Sequence, residues 1–368
     1  MINVNLKSGN SGKLANVIIS SVDKNRLQDR WGEAHRLLSQ AERIVCSTHF
    51  NPDGDGLGSQ LALVRYLKNQ GKECRILNPS ALPNEYKFMA EYCEFEVYNR
   101  SLHSDWVKSS DLAVILDIGD FKRLNELGED IQTFGLQSLS IDHHPQDEPS
   151  GFDYTMHDIS ACATGYLIWE YLQYMMMLNG KFELNSKIAH GLYIAVMTDT
   201  GSFRFNNTSP EAHDMASEMI RLGVLPHEVY KEVYEVNSVE KMRLMGTALR
   251  NIKIEGEGQL AWFPVTMKMI KEAGATHADV SGFTDLVRTI GGVEVTLMIH
   301  EIDNNRCKAN FRSKGKIRID ELARRLGGGG HPFAAGSTVE MELGKAIKYV
   351  VSETLDVIKS QSYMGGGK

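Results

Sequence analysis

The stretch SIDHHP, Ser140 to Pro145, sets Asp142, His143 and His144 directly after an apolar run. Ionisable groups there need partners, because burying an unpaired charge is expensive. Three other stretches carry side chains of the same kinds. HFNPDGDG supplies His49, Asp53 and Asp55, LAVILD ends on Asp117, and MTDTGSF carries Asp199. Each has a plainer reading taken alone: aspartate beside glycine makes turns, a strand-end aspartate caps a helix, and a histidine pair is solvated. Taken together, such carboxylates and imidazoles would repel without cations. Hard oxygen ligands mixed with imidazole suit Mn²⁺, Mg²⁺ or Fe²⁺ better than a thiolate-seeking metal. Crowding of this kind predicts that losing one carboxylate raises the stability of the metal-free fold.

These residues must be positioned by something, and the flanking pattern says what. From about Arg43 to Asp199, short apolar runs alternate with helical spacing, the pattern of a parallel α/β sheet. RIVCST (43–48), ECRIL (73–77), LAVILD (112–117) and QSLSID (137–142) read as strands. Residues 57–70 have helical spacing and stop at Gly71; 161–178 and 186–198 read as apolar helices. Ser209 and Pro210 open another helix that Gly223 closes. Open α/β sheets place their ligand crevice at the carboxyl ends of the strands, where the four acidic corners fall.

After about Gly223 the texture changes to a polar helix near 238–254, several strands and a C-terminal helix from about Leu343, a smaller α+β unit. A chain of 368 residues exceeds one ordinary core, which agrees with this division. The expected boundaries are a catalytic domain over 1–223, a linker over 224–240 and a second domain over 241–368. Five scattered cysteines without a C-x-x-C pair indicate a reducing compartment, and neither a leader nor an 18-residue apolar run is visible. The expectation is a soluble cytoplasmic protein. A net charge of -7 argues against coating long duplex DNA, which needs many phosphate contacts, but not against capture of a short anion.

In order along the chain, HFNPDGDGLGS, LDIGD, IDHHP and MTDTGSFRF resemble the four motifs of the DHH phosphoesterases, and LGGGGHPFAAG (326–336) resembles the signature of the DHH-associated C-terminal domain. The resemblance implies a parallel-sheet DHH domain joined by a linker helix to the smaller domain, with the active site in the cleft between them. It implies two divalent ions, Mn²⁺ first and Mg²⁺ or Fe²⁺ as alternatives. His49 and Asp53 would hold one ion, Asp55, His143 and Asp199 the other, and Asp117 would bridge. Asp142 would orient a histidine and His144 would face the substrate phosphate.

Two such ions flank an in-line displacement at phosphorus and activate water, so no covalent phospho-enzyme is expected. In the second domain, Arg312 and Ser313 would grip a terminal phosphate, while Gly328, Gly329, Gly330 and His331 would offer backbone N–H groups and an imidazole. The closest resemblance is to the stand-alone nano-RNases, which cut RNAs of two to five nucleotides and dephosphorylate adenosine 3′,5′-bisphosphate. Expected partners are therefore short oligoribonucleotides and nucleotide bisphosphates, without membrane or long duplex DNA, with a homodimer left open. Two alternatives stand beside this: hydrolysis of cyclic dinucleotides or their linear products pApA and pGpG, and a non-catalytic nucleotide-binding regulator.

Overall fold

The computed structural model describes residues 24–144, 150–179 and 184–364. Pro145 of the IDHHP motif and the N-terminal residues 1–23, where a leader would lie, are outside the described residues. The chain divides into two compact units between Val236 and Asn237.

The first unit opens with α1 (Lys24–Gln40) and β1 (Arg43–Ser47), followed by α2 (Gly54–Asn69), β2 (Glu73–Asn78), β3 (Phe95–Val97) and α3 (Arg100–Lys108). It continues through β4 (Leu112–Leu116), α4 (Glu126–Phe134), β5 (Ser138–Asp142) and β6 (Tyr154–His157), and ends in four helices: α5 (Thr164–Asn179), α6 (Ser186–Asp199), α7 (Pro210–Arg221) and α8 (Pro226–Tyr234). The six strands form a parallel sheet in the order β3-β2-β1-β4-β5-β6. β4 and β5 are buried along their whole length, which is why they read as near-continuous apolar runs rather than alternating ones.

Strand order reverses between β1 and β4, so the chain leaves these two neighbours towards opposite sides and opens a crevice at their carboxyl ends. One sheet face packs on α1, α2, α5 and α6 through Trp31, Leu57, Leu61, Tyr171 and Leu192; the other packs on α3 and α4 through Val107, Leu127 and Ile131. The predicted caps hold: the Ser209 hydroxyl accepts from Ala212 N–H at 3.3 Å, and Gly71 and Gly223 both take positive φ.

The segment 224–240, expected as a linker, instead contributes Val224, Val229 and Val233 to the core of the first unit through α8. Helix α9 (Val239–Arg250), capped by Ser238, opens the second unit. There β7 (Lys253–Glu255), β8 (Leu260–Val265), β9 (Val295–Asp303), β10 (Arg306–Ser313), β11 (Gly329–His331) and β12 (Ala334–Val339) form a sheet in the order β11-β12-β10-β9-β8-β7. Only the β8–β9 pair is parallel. Helices α10 (Met267–Ala273) and α11 (Phe283–Val287) cover one face with α9, while α12 (Asp320–Arg325) and α13 (Leu343–Met364) cover the other. Among the described residues, no helix is long and apolar enough to cross a membrane.

Candidate metal centre

The turn after β1 carries the first two corners. His49 is buried, and its Nδ1 lies 2.9 Å from the carbonyl of Phe50. A carbonyl only accepts, so Nδ1 holds the proton and Nε2 is left for a ligand, the usual arrangement of metal-binding histidines. Nε2 points between Asp53 Oδ2 at 3.8 Å and Asp117 Oδ2 at 3.7 Å. Asp53 also caps α2, its Oδ1 accepting from the N–H groups of Asp55 and Gly56 at 3.1 and 3.2 Å.

Asp117 follows β4 directly, with φ of +59°, and its N–H still bonds Ile141 O at 3.1 Å. The ladder therefore holds the backbone while a left-handed residue swings the carboxylate across the crevice. This conformation is costly for a residue with a side chain, and it clusters at functional sites. Oδ1 accepts from the Thr164 hydroxyl at 3.2 Å, whereas buried Oδ2 has no hydrogen-bond donor among the described residues. A buried carboxylate oxygen without a donor carries a large desolvation penalty, which a cation would remove.

On the other side of Asp117 stands His143, whose Nδ1 lies 3.1 Å from the carbonyl of Ala161, so its Nε2 is also presented inward. Around Nε2 lie Asp55 Oδ2 at 3.5 Å, Asp199 Oδ2 at 3.7 Å and Asp117 Oδ1 at 3.8 Å. The six predicted ligands thus form two sets that share Asp117, one oxygen turned to each imidazole. Asp142 stands back from both sets. Its Oδ1 accepts from the backbone N–H of His143 and His144 and lies 2.7 Å from His144 Nδ1, so it orients His144.

The electrostatics follow from this crowding. Burial pushes the Asp55 carboxyl well above its usual range, with Asp117 and Asp199 adding to the effect. Burial likewise lifts Asp199 to about 6, reinforced by Asp117 against the pull of His143. Burial disfavours the charged forms of His49 and His144, yet the surrounding carboxylates overcome it and raise them to about 10 and about 9. Without cations, the cluster compensates its negative charge with protons; divalent ions would displace them.

Sequence reasoning missed what holds Asp55. Its two oxygens accept from Thr164 N–H at 2.6 Å, Gly165 N–H at 2.8 Å and the Ser59 hydroxyl at 3.3 Å. The open N–H groups of the first turn of α5 thereby hold a carboxylate carried by α2. A threonine in CATGY signals at most a helix start; its partner lies 109 residues away. The structure also supplies the reason for the glycines in this turn. A Cβ at Gly54 would sit 2.5 Å from Thr198 Oγ1, and one at Gly56 would sit 2.4 Å from Thr48 Oγ1. They are needed for close approach, and neither takes a positive φ.

In the second unit, Arg312 lies near the end of β10, about one-third exposed, with Nε 3.3 Å from Asp285 Oδ1. Ser313, expected to contact substrate, is buried, and its hydroxyl donates to Glu294 Oε1 at 3.1 Å; that side chain braces the end of the strand. Gly329, Gly330 and His331 form the edge strand β11, and Gly328 packs beside it where a Cβ would meet Gly336 O at 2.0 Å. Part of the glycine run is thus structured strand, paired with β12.

Residues 43–196 match the family model described as DHH family, N-terminal domain, and residues 263–356 match the DHHA1 domain. A carboxylate–imidazole cluster at the switch point of this sheet, with that domain pair, defines the class: the chain belongs to the DHH family and is a metal-dependent phosphoesterase. Within the family it is similar to proteins named bifunctional oligoribonuclease and PAP phosphatase NrnA. It is 28% identical to that of Bacillus subtilis, over 83% of this chain and 92% of the relative. It is 29% identical to that of Thermus thermophilus, over 93% and 100%. Among solved structures it resembles an exopolyphosphatase-related protein from Bacteroides fragilis, with a TM-score of 0.83 and 26% identity over 91% and 97% of the two chains.

Proposed function

We propose that this chain uses two divalent cations, Mn²⁺ by preference, to hydrolyse short oligoribonucleotides to mononucleotides and to remove the 3′-phosphate of adenosine 3′,5′-bisphosphate. The observation that carries the metal reading is Asp117, a buried left-handed aspartate whose oxygens face two imidazoles with their own carboxylate sets. His49, Asp53 and Asp117 would hold one ion, and Asp55, Asp117, His143 and Asp199 the other. The substrate reading rests on the relatives named for oligoribonuclease and PAP phosphatase activity, which align with nearly the whole chain.

Bound cations would supply Lewis acidity and a water of lowered pKa. The chain's own residues do the rest. Asp142 fixes the His144 ring, so that a protonated imidazole meets the phosphoryl oxygens or the departing ribose oxygen. All five cysteines are buried, which removes a thiolate nucleophile and favours direct attack by water. Arg312 and His331 of the second unit are proposed to take the anionic end of the substrate, with backbone N–H groups of the Gly328–Gly330 stretch.

One substrate panel tests this: adenosine 3′,5′-bisphosphate, pApA, pGpG, a five-mer RNA, a long RNA, cyclic di-AMP and pyrophosphate, each with Mn²⁺. Rapid turnover of the first four, with little of the last three, is expected. Preference for cyclic di-AMP or pyrophosphate would overturn the substrate assignment, and inactivity on every substrate would overturn the enzymatic reading.

A further inference from the structure

We infer that Asn207 is a positioning residue for the His143 centre, setting the spacing of the two carboxylates, Asp55 and Asp199, that flank it. The inference rests on the two-cation reading of the site. The Asn207 side-chain nitrogen lies 3.0 Å from Asp199 Oδ2, 3.2 Å from Asp199 O and 2.9 Å from Cys162 O. All three neighbours only accept, so the amide must turn its NH₂ towards them.

These contacts add a polar tie between two segments that already pack together where Gly165 meets Ala195. Asp199 ends α6. Cys162 lies two residues before Thr164, whose N–H, with that of Gly165, holds the Asp55 carboxylate. One amide therefore ties the Asp199 carboxylate directly, and the Asp55 carboxylate through the start of α5. Among the described residues, no hydrogen bond links Asn207 to His49 or Asp53.

The backbone is bent at a cost to bring Asn207 there. Gly201, Ser202 and Phe203 take φ values of +56°, +60° and +61°, three left-handed residues in a row, two of which are not glycine. The bend is held by Thr200, whose carbonyl accepts from Arg204 and Phe205 N–H at 2.9 and 3.0 Å and whose hydroxyl accepts from Phe203 N–H at 3.0 Å. A tight reversal after Asp199 returns the chain to its own carboxylate, and Asn207 is the residue that arrives.

The test is a Mn²⁺ titration of the full-length metal-free protein by calorimetry and electron paramagnetic resonance. Wild type should bind two ions. Asn207→Ala should weaken one of them at least tenfold and leave the other within about twofold, the weakened event being the one that His143→Gln also weakens. The activity lost should return as Mn²⁺ is raised. Asn207→Leu, close in volume, serves if the alanine variant folds poorly, with circular dichroism as the check. Wild-type affinity for both ions in a folded variant would overturn the inference, as would equal weakening of both. Failure of wild type to bind two ions would bring down the two-cation reading itself, a separable result.

Discussion

At the scale of single residues, Asp117 bears two costs, a left-handed backbone and a buried oxygen without a donor among the described residues. A fold retains both when the side chain has work that no neighbour can do. Asp117→Ala should abolish binding of two Mn²⁺ at concentrations that saturate wild type, read by calorimetry. Turnover should fall roughly a thousandfold, the several kcal/mol that Lewis-acid stabilisation supplies. Retained stoichiometry with near-normal turnover would reject the shared aspartate. The metal-free stability of this variant departs from what crowding alone predicts. Burial and Asp53 press the Asp117 carboxyl upward, but His144 and His49 outweigh them and hold it below the usual carboxylate range. Its charge is already compensated without cations, so removing it should lower, not raise, the melting temperature in chelator.

At the scale of elements, the centre depends on how closely α2 and α6 approach. A Cβ on Gly58 would lie 2.3 Å from Gly191 O, and one on Gly191 would lie 2.7 Å from Gly58 O. Gly58→Ala must push the helices apart, at an overpacking cost of about 1–3 kcal/mol, and should weaken Mn²⁺ binding by moving Asp199 from Asp55; an unchanged melting temperature would refute this. The strand ends and the four motifs were legible because sheet burial and turn chemistry are written locally, in LAVILD and HFNPDGDG. The left-handed φ of Asp117, the hold of Thr164 on Asp55 and the return of Asn207 were not, since each depends on contacts made only after the helices pack. The same limit hid the pair of His277 Nδ1 and His300 Nε2, 2.7 Å apart in the second unit. Burial lowers His300 from 6.5 to about 4, with His277 and Lys308 adding to it. A depressed folded pKa means that the unfolded chain gains the proton first as pH falls. The second unit should therefore lose up to about 3 kcal/mol of stability between pH 6.5 and pH 4. His300→Leu should flatten that dependence in denaturant melts across this range, and an unaltered slope would rule the pair out.

At the scale of the whole molecule, the candidate metal ligands and the proposed anion grip fall in different units. All six metal-ligand candidates precede residue 237, and Arg312 follows it. The chain carries a net charge of -7, so capture of an anionic substrate needs cations placed locally, and Arg312 is one whose guanidinium pairs with Asp285 and donates to the Phe311 carbonyl at 3.1 Å. If Arg312 takes a terminal phosphate, Arg312→Ala should leave both Mn²⁺ affinities unchanged. It should raise KM for adenosine 3′,5′-bisphosphate and pApA about tenfold or more, since a charge-assisted hydrogen bond contributes roughly 1.5–3 kcal/mol. Arg312→Lys should recover only part of this, because an ammonium lacks the planar fork. Asp285→Asn, by releasing the guanidinium from its carboxylate, should lower KM for the same substrates. A small chromogenic phosphodiester without a terminal phosphate should be cleaved equally by wild type and Arg312→Ala. Measuring kcat/KM on both substrate types separates the cases: an equal loss on both would place Arg312 at the scissile phosphate or in the fold, and the separation of catalysis from substrate capture would fall with it.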